Sequence, residues 1–368
     1  MGKPYLLPPS LCAKRGAFTS EWRVESMLGE GGYGFVQMLS PSAPPPSTTT
    51  PSSSTPPPPR CAVKSIRKRY LRSAEEVDSI VREVEVMREL AMAGGHPHVV
   101  ALLEAWEDGP EGSASEAQCA GGGGGSMLRF PSMASLSGGC IHLLLEHVAG
   151  GDLGGYLRGR GVPRCSALQV RGIMEQLLDA LCWLHDKGVL HGDIKPSNIL
   201  ISPSPTAQQA AAGGSCGAGA GAGGWVHSIK LCDFGNSRRS RDARYYKVTG
   251  DVGLVPWSCV SGTPGFLAPE LLERRSYSTP VDIWAAGILM YQLLAGFPPP
   301  WQPYASCCTV PVEFPPHVWP SAGAPQPASA IPHSARDLVA AMLHIDPLKR
   351  ITAQAARMHP FFVLKRLG

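Results

Sequence analysis

The run HGDIKPSNIL at 191–200 sets a carboxylate, an ammonium and a carboxamide within six residues: Asp193, Lys195 and Asn198. Further along, CDFG adds a second carboxylate, Asp233. Carboxylate and amide oxygens are hard donors that suit a divalent cation, and a lysine beside them offsets anionic charge. Such a set marks a place where phosphate and metal meet. On that reading the chain should also hold a phosphate loop and a buried lysine with a carboxylate partner.

Both have candidates. LGEGGYGFV places Gly29, Gly31 and Gly34 in a G-x-G-x-x-G-x-V pattern between two strand-like runs. Glycines let a backbone approach phosphates and aim N–H groups at them, although glycine-rich turns also occur where nothing binds. A strand rather than a helix follows, which argues against a dinucleotide-binding fold. CAVK then ends on Lys64, in a β-type run with Ala62, Val63 and Ile66. A lysine there is either an edge residue with its stem along apolar surface or an ammonium held by a carboxylate. Glu83, inside VREVEVMREL, is the natural partner, with Glu85 and Glu89 as local rivals.

The elements that must position these residues fall into two halves. Residues 22–148 are short β-type runs interrupted by one helical stretch, 73–90, whose Val77, Ile80, Val81, Val84, Met87 and Leu90 share a face at helical spacing. After residue 166 helices dominate, in ALQVRGIMEQLLDALCWLHDKG, TPVDIWAAGILMYQLLAG and SARDLVAAMLHI. The expected fold is α+β, with a β-rich N-lobe over 22–148, an α-rich C-lobe over 149–364 and a tail at 1–21. Three segments, 40–59, 108–139 and 202–224, are rich in Pro, Ser, Gly or Ala and poor in large apolar residues, so they read as disordered. Each lies between two strand-like runs, as an expanded hairpin turn. Loop-closure cost grows by only about 0.6 kcal/mol per doubling of length, so hairpin tips tolerate such padding.

Composition narrows the setting. A net charge of +4 is too weak to imply nucleic acid as a partner. Eleven cysteines include no C-x-x-C pair, which favours reduced thiols over a disulfide or zinc framework. The start MGKPYLLPPSLC lacks a signal peptide's apolar core, and Leu6 stands where N-myristoylation needs Ser or Thr. No apolar run is long enough to span a bilayer. The expectation is a soluble cytoplasmic or nuclear protein that engages no membrane.

GEGGYGFV, CAVK, HGDIKPSN, CDFG, GTPGFLAPE, DIWAAG and DPLKRIT occur in this order. The chain resembles the eukaryotic protein kinases over about 22–364, and seven ordered motifs make a chance match very improbable. The resemblance implies a bilobal fold using ATP and Mg2+. Asp193 would accept or orient the proton of the attacking hydroxyl, Lys195 would flank the transferring phosphoryl group, and Asn198 and Asp233 would hold the metal. Leu28, Val36, Ala62 and Leu200 would enclose adenine, with Leu145 as gatekeeper and Glu146 and Val148 as hinge. Asp152 would meet the ribose. Met87, Leu102, His191 and Phe234 would form a stacked spine rooted on Asp282. Glu270 and Arg350 would be a buried ion pair, and Thr263 would contact Asp193. Lys195 together with GTPGFLAPE points to the Ser/Thr type, with protein substrates. GTPGFLAPE, which positions peptides in the family, disfavours a small-molecule kinase. The alternative is a pseudokinase or scaffold that binds nucleotide without turnover, against which stand Lys64, Glu83, Asp193, Lys195, Asn198 and Asp233, all present.

Gly192 departs from the pattern, because the family usually has Arg before the catalytic Asp. That guanidinium needs an activation-segment phosphate as its partner. Without it, activity should not be gated by that phosphate; the competing reading is a loosened loop and a slower enzyme. The segment 233–270 still offers Thr249, Ser258 and Ser261 as phosphosites. Its basic cluster, Arg238, Arg239, Arg241, Arg244 and Lys247, reads as a solvated loop face.

AVKSIRKRYLR, IVREVEVMREL, HPHVVALLEAWED, HGDIKPSNILI and VEFP look like the calcium/calmodulin-dependent protein kinase kinases and the plant-type upstream activating kinases. That finer resemblance implies other kinases as substrates, phosphorylated on an activation-segment Thr. AGGDLGGYL departs from it. The chain ends eight residues after His359–Pro360, which leaves no room for a calmodulin-binding helix, so calmodulin is not expected as a partner. Ser197 and Gln292 replace acidic positions of basophilic relatives while Asp152 is retained, so no strong arginine requirement is expected. The protein is expected to be a monomer.

Overall fold

The structure is a computed structural model of the chain. It describes residues 7–8, 11, 14–15, 22–31, 34–41, 60–71, 73–108, 139–159, 164–202, 227–239, 262–300, 311–319 and 331–363. The chain divides into two compact units, one of Met1–Gly95 with Ala101–His147, the other of His96–Val100 with Val148–Gly368. The first is β-rich and the second helix-rich, as the α+β expectation requires. Val148 and the stretch 96–100 group with the helical unit. There His98 Nδ1 lies 3.1 Å from the Ile229 carbonyl, and Val100 N–H donates to Leu231 O at 2.9 Å.

The first unit is built on a six-stranded sheet. Its strands are β1 (Lys14–Arg15), β2 (Trp22–Glu30), β3 (Gly34–Pro41), β4 (Cys61–Arg67), β5 (Leu102–Glu107) and β6 (Cys140–Glu146). Their order across the sheet is β1-β5-β6-β4-β3-β2. Residues two apart on a strand share a face, which divides β4. Cys61 and Val63 pack with Leu39, Trp106 and Leu144 on one side, while Ala62 and Lys64 point to the other. Helix α1 (Ala74–Met92) starts at a capping box in which Ser73 and Glu76 satisfy each other's backbone N–H groups. Its buried face carries Ile80, Val84, Met87 and Leu90.

In the second unit α2 (Leu153–Gly159) and α3 (Ala167–Asp186) precede the short strand β7 (Val189–Leu190). Then come β8 (Ile199–Ser202), β9 (Ser228–Leu231), β10 (Arg238–Arg239) and the helices α4 (Pro269–Leu272), α5 (Pro280–Ala295), α6 (His333–Met342), α7 (Ala353–Arg357) and α8 (Pro360–Val363). Helix α5 is apolar on nearly every side, the pattern of a helix surrounded by protein, and all but two of its sixteen residues are buried. It stops at Gly296, whose φ of 87° is the left-handed conformation that ends helices. Among the described residues no helix is long and apolar enough to cross a membrane.

The three insertions do fall between paired antiparallel strands: β3 and β4, β5 and β6, β8 and β9. Their expected limits need correction. Ser40 and Pro41 pair with Arg23 and Trp22, and Ser202 pairs with Ser228. Asp108 N–H donates to Cys140 O at 2.9 Å, and Gly139 O accepts from Lys68 N–H at 3.1 Å. Composition marked these residues for disorder, but backbone partners hold them: β2 for Ser40 and Pro41, the facing strand for Asp108 and Ser202, and Lys68 for Gly139. Residues 42–59, 109–138 and 203–226 lie outside the described residues.

Two further expectations change. The tail at 1–21 contributes β1, which runs parallel to β5, and Leu7 is buried with its N–H on Glu107 Oε2 at 2.9 Å. Arg238, read as part of a solvated face, is only 6% exposed because β10 pairs with β7, Arg238 opposite Leu190. Arg241, Arg244, Lys247, Thr249, Ser258 and Ser261 lie outside the described residues.

Candidate active site

In the β-rich unit a lysine is paired with a carboxylate. Lys64 Nζ lies 2.7 Å from Glu83 Oε1, on α1. Glu83 is 3% exposed, whereas Glu85 is half-buried and Glu89 exposed, so burial selects among the three rivals. A buried carboxylate is stable only when paired, and the side chain of Lys64, itself about three-quarters buried, supplies that partner. Directly opposed residues in a sheet share a face. Val36 lies opposite Lys64 and Leu145 opposite Ala62, which puts Val36, Ala62, Lys64 and Leu145 on one side. Leu28 falls at an irregularity in the β2–β3 register and is about half exposed.

The glycines of this unit lie in and beside a hairpin ladder. Gly31 N–H donates to Gly34 O at 2.8 Å and Gly34 N–H returns to Gly31 O at 3.3 Å, so both close the hairpin. Gly29 sits in the ladder opposite Val36. At Gly34 a Cβ would run into the Ser65 carbonyl, so glycine is needed there for the close approach of β3 to β4. Residues 32–33 lie outside the described residues. Glu146 N–H is held by Ala101 O at 3.1 Å.

The helical unit holds the catalytic-loop candidates, and here four side chains converge. Thr263 Oγ1 donates to Asp193 Oδ1 at 2.7 Å and accepts from Lys195 Nζ at 2.6 Å. Lys195 Nζ also lies 2.8 Å from Asp193 Oδ2. Asn198 Nδ2 donates to Asp193 O at 2.9 Å and to Asp193 Oδ2 at 3.0 Å, which leaves its Oδ1 as an acceptor for a hard cation. Asp233 is exposed and sits at φ 67°, the left-handed region, uncommon for a non-glycine residue and adopted more readily by Asp and Asn than by most. Asp152 Oδ1 accepts from Gly155 N–H at 2.8 Å at the start of α2, and Asp152 bridges to Leu200.

Asp282, 1% exposed on α5, anchors the loop. It accepts from His191 N–H and Gly192 N–H at 2.8 Å each, and His185 Nε2 lies 2.9 Å from its Oδ2. Burial by itself would raise its pKa. The His185 hydrogen bond, the imidazoles of His185 and His191 and the Gly192 N–H outweigh that and hold the carboxyl below the usual carboxylate range. His191 Nδ1 accepts from Asp193 N–H at 3.3 Å, so its Nε2 carries the proton and donates to Cys232 O at 3.1 Å. Its ring meets Phe234 edge-on at 5.0 Å. Gly192 has φ 81°, and a Cβ there would lie 2.7 Å from the Asn236 carbonyl oxygen. Gly192→Ala is therefore expected to cost about 2 kcal/mol, seen as a melting-temperature loss of about 4–8 °C.

Sequence reasoning missed Gln176. Its Nε2 donates to His227 O at 3.1 Å and its Oε1 accepts from Ile229 N–H at 2.9 Å, pinning β9, two residues before Asp233, to α3. An amide beside the buried Ile173 and Leu177, where a helix facing a core carries apolar residues, was its only signal.

The family model described as "Protein kinase domain" matches residues 55–362. The glycine loop lies before that match and rests on its own geometry. Calcium-dependent protein kinase 14 of Arabidopsis thaliana is 28% identical over 82% of this chain and 44% of its own length. Calcium/calmodulin-dependent protein kinase type 1 of Macrobrachium nipponense is 27% identical over 82% of the chain and 66% of its own length. Calcium-dependent protein kinase 20 of Oryza sativa subsp. japonica is 30% identical, over 82% and 42% respectively. The chain thus spans less than two thirds of the length of these relatives. The family match runs over more than half of the chain and takes in the whole network around Asp193, so the chain belongs to the protein kinase domain family.

Proposed function

We propose that the chain is an ATP-dependent serine/threonine protein kinase that transfers the γ-phosphoryl group to Ser or Thr hydroxyls of proteins. The convergence of Lys195, Asn198 and Thr263 on the Asp193 carboxylate carries this reading. Three donors fix the carboxylate in one orientation, where it can meet the proton of an incoming hydroxyl. Lys195 then stands where it can offset charge on the transferring group. Asn198 and Asp233 offer the hard oxygens that fit Mg2+, which supplies charge compensation on the phosphates when bound. Lys64, fixed by Glu83, is assigned to the phosphates. The finer resemblance directs the search for substrates to other kinases. The primary test is magnesium-dependent transfer of labelled phosphate to Ser/Thr peptides, with Asp193→Asn as the control.

The reading includes activity without an activation-segment phosphate. Two backbone N–H groups on Asp282 and the Thr263 bridge hold the loop with Gly192 in place of the family's usual arginine. Arg238, buried beside β7, is the competing anchor for a phosphate. Phosphatase treatment is expected to leave at least half of the activity. A collapse that autophosphorylation restores, and that Arg238→Gln abolishes, would assign the control to Arg238 instead.

A further inference from the structure

Strand β6 opens with Cys140-Ile141-His142, and alternation along a strand puts its first and third side chains on one face. The β5–β6 register pairs Trp106 with His142 and Glu107 with Ile141, which brings Asp108 level with Cys140. Asp108 N–H donates to Cys140 O at 2.9 Å, Cys140 N–H returns to Asp108 Oδ2 at 2.9 Å, and His142 Nε2 lies 3.3 Å from the same oxygen. A thiol sulfur, an imidazole nitrogen and a carboxylate oxygen thus lie within 4.8 Å of one another. Phosphoryl transfer uses none of them.

We propose that Asp108, Cys140 and His142 form a zinc site at the closed end of the β5–β6 hairpin, with water in the fourth position. The donor set selects the metal. Magnesium and calcium take oxygen, whereas sulfur and imidazole together suit zinc. Zinc bonds of about 2.0–2.3 Å place tetrahedral donors roughly 3.5 Å apart, so the cluster needs to contract by about 1 Å at its widest. Its surroundings fit a metal-bound imidazole. His142 Nδ1 lies 2.9 Å from Ser65 Oγ on β4, and when Nε2 takes the ion Nδ1–H donates to that hydroxyl. Lys68 Nζ donates to Asp108 O at 2.8 Å and steadies the main chain there. Cys140 and His142 are buried, while the side chain of Asp108 is about a quarter exposed and forms the mouth. A redox role for the thiol is a poorer fit, because Cys140 is fully buried while reactive thiols are partly exposed. The ion ties β5 to β6 where the longest insertion leaves and re-enters the sheet.

The test uses the full chain, stripped with a chelator and titrated with Co2+ and then Zn2+. The expected result is one equivalent of cobalt with a thiolate charge-transfer band and tetrahedral visible bands, displaced by zinc, together with a zinc-dependent rise in melting temperature. Cys140→Ala should abolish the band. Ser65→Ala should weaken binding by roughly 10–100-fold, as loss of a supporting hydrogen bond does at other metal sites. Ten further cysteines make the variants essential. A band that persists unchanged in Cys140→Ala, or wild-type protein that shows no thiolate band, overturns the site and leaves the three residues as a hydrogen-bonded brace. Should Cys140→Ala fail to fold, Asp108→Asn at the partly exposed position carries the comparison, and unchanged affinity there overturns the proposal. The outcome is independent of whether the chain phosphorylates anything.

Discussion

Replacing Asp193 with Asn is expected to lower kcat about 10³-fold while leaving the KM for ATP within about twofold. The magnitude follows from removal of a proton acceptor in the transition state, an effect of about 10²–10⁴-fold. The substitution keeps the shape of the side chain and preserves an oxygen that can accept from Thr263 Oγ1, now at 2.7 Å. It removes the negative charge that Lys195 Nζ faces at 2.8 Å, and a carboxamide accepts no proton from a hydroxyl. Because Asp193 is assigned to the hydroxyl and not to the nucleotide, the loss should appear in kcat. An equal loss of nucleotide affinity would place Asp193 in the binding step. A wild-type chain that binds ATP and never transfers phosphate, even to optimised peptides, would return the protein to the scaffold reading.

Arg350→Ala is expected to be strongly destabilising, costing about 3–5 kcal/mol. Arg350 and Glu270 are 4% and 3% exposed and joined by two parallel hydrogen bonds of 2.7 and 2.9 Å. The same guanidinium donates to the carbonyls of His344, Pro280 and Ile345 and lies 5.1 Å from the Trp284 ring. Truncation leaves a buried carboxylate without its counter-charge and three carbonyls without this donor, and desolvated groups recover none of that from water. The melting temperature should fall by about 10 °C at 2–4 °C per kcal/mol. Arg350→Lys should recover only part, since an ammonium cannot form the paired fork. Specific activity per folded molecule should change far less than for Asp193→Asn. A melting temperature within 2–3 °C of wild type would mean that water or a neighbouring cation reaches Glu270.

Much of the site was legible because its chemistry is local. Asp193, Lys195 and Asn198 lie within six residues, so the short chain between them already forces their polar groups together. Lys64 and Glu83 were readable only as a pair of candidates, because Glu85 and Glu89 share the same helix. Burial at 83, set by how α1 packs on the sheet, made the choice. The glycine pattern was legible as a hairpin, but whether its N–H groups turn outward or close on one another depends on strand pairing.

By itself the sequence determined the α+β division, the helical face of α1, the positions of the three expanded hairpins and where the candidate catalytic-loop residues stand. Periodicity, turn composition and motif spacing are properties of neighbours along the chain. The resemblance already implied that Thr263 meets Asp193 and that His191 belongs with Asp282; tertiary structure alone decided that Thr263 also accepts from Lys195, that His185 and Gly192 join Asp282, that Arg238 is buried, and that Asp108, Cys140 and His142 meet. Each joins residues separated by tens of positions, or depends on which strand lies alongside. Contacts of that kind arise from packing and register, which no local pattern encodes.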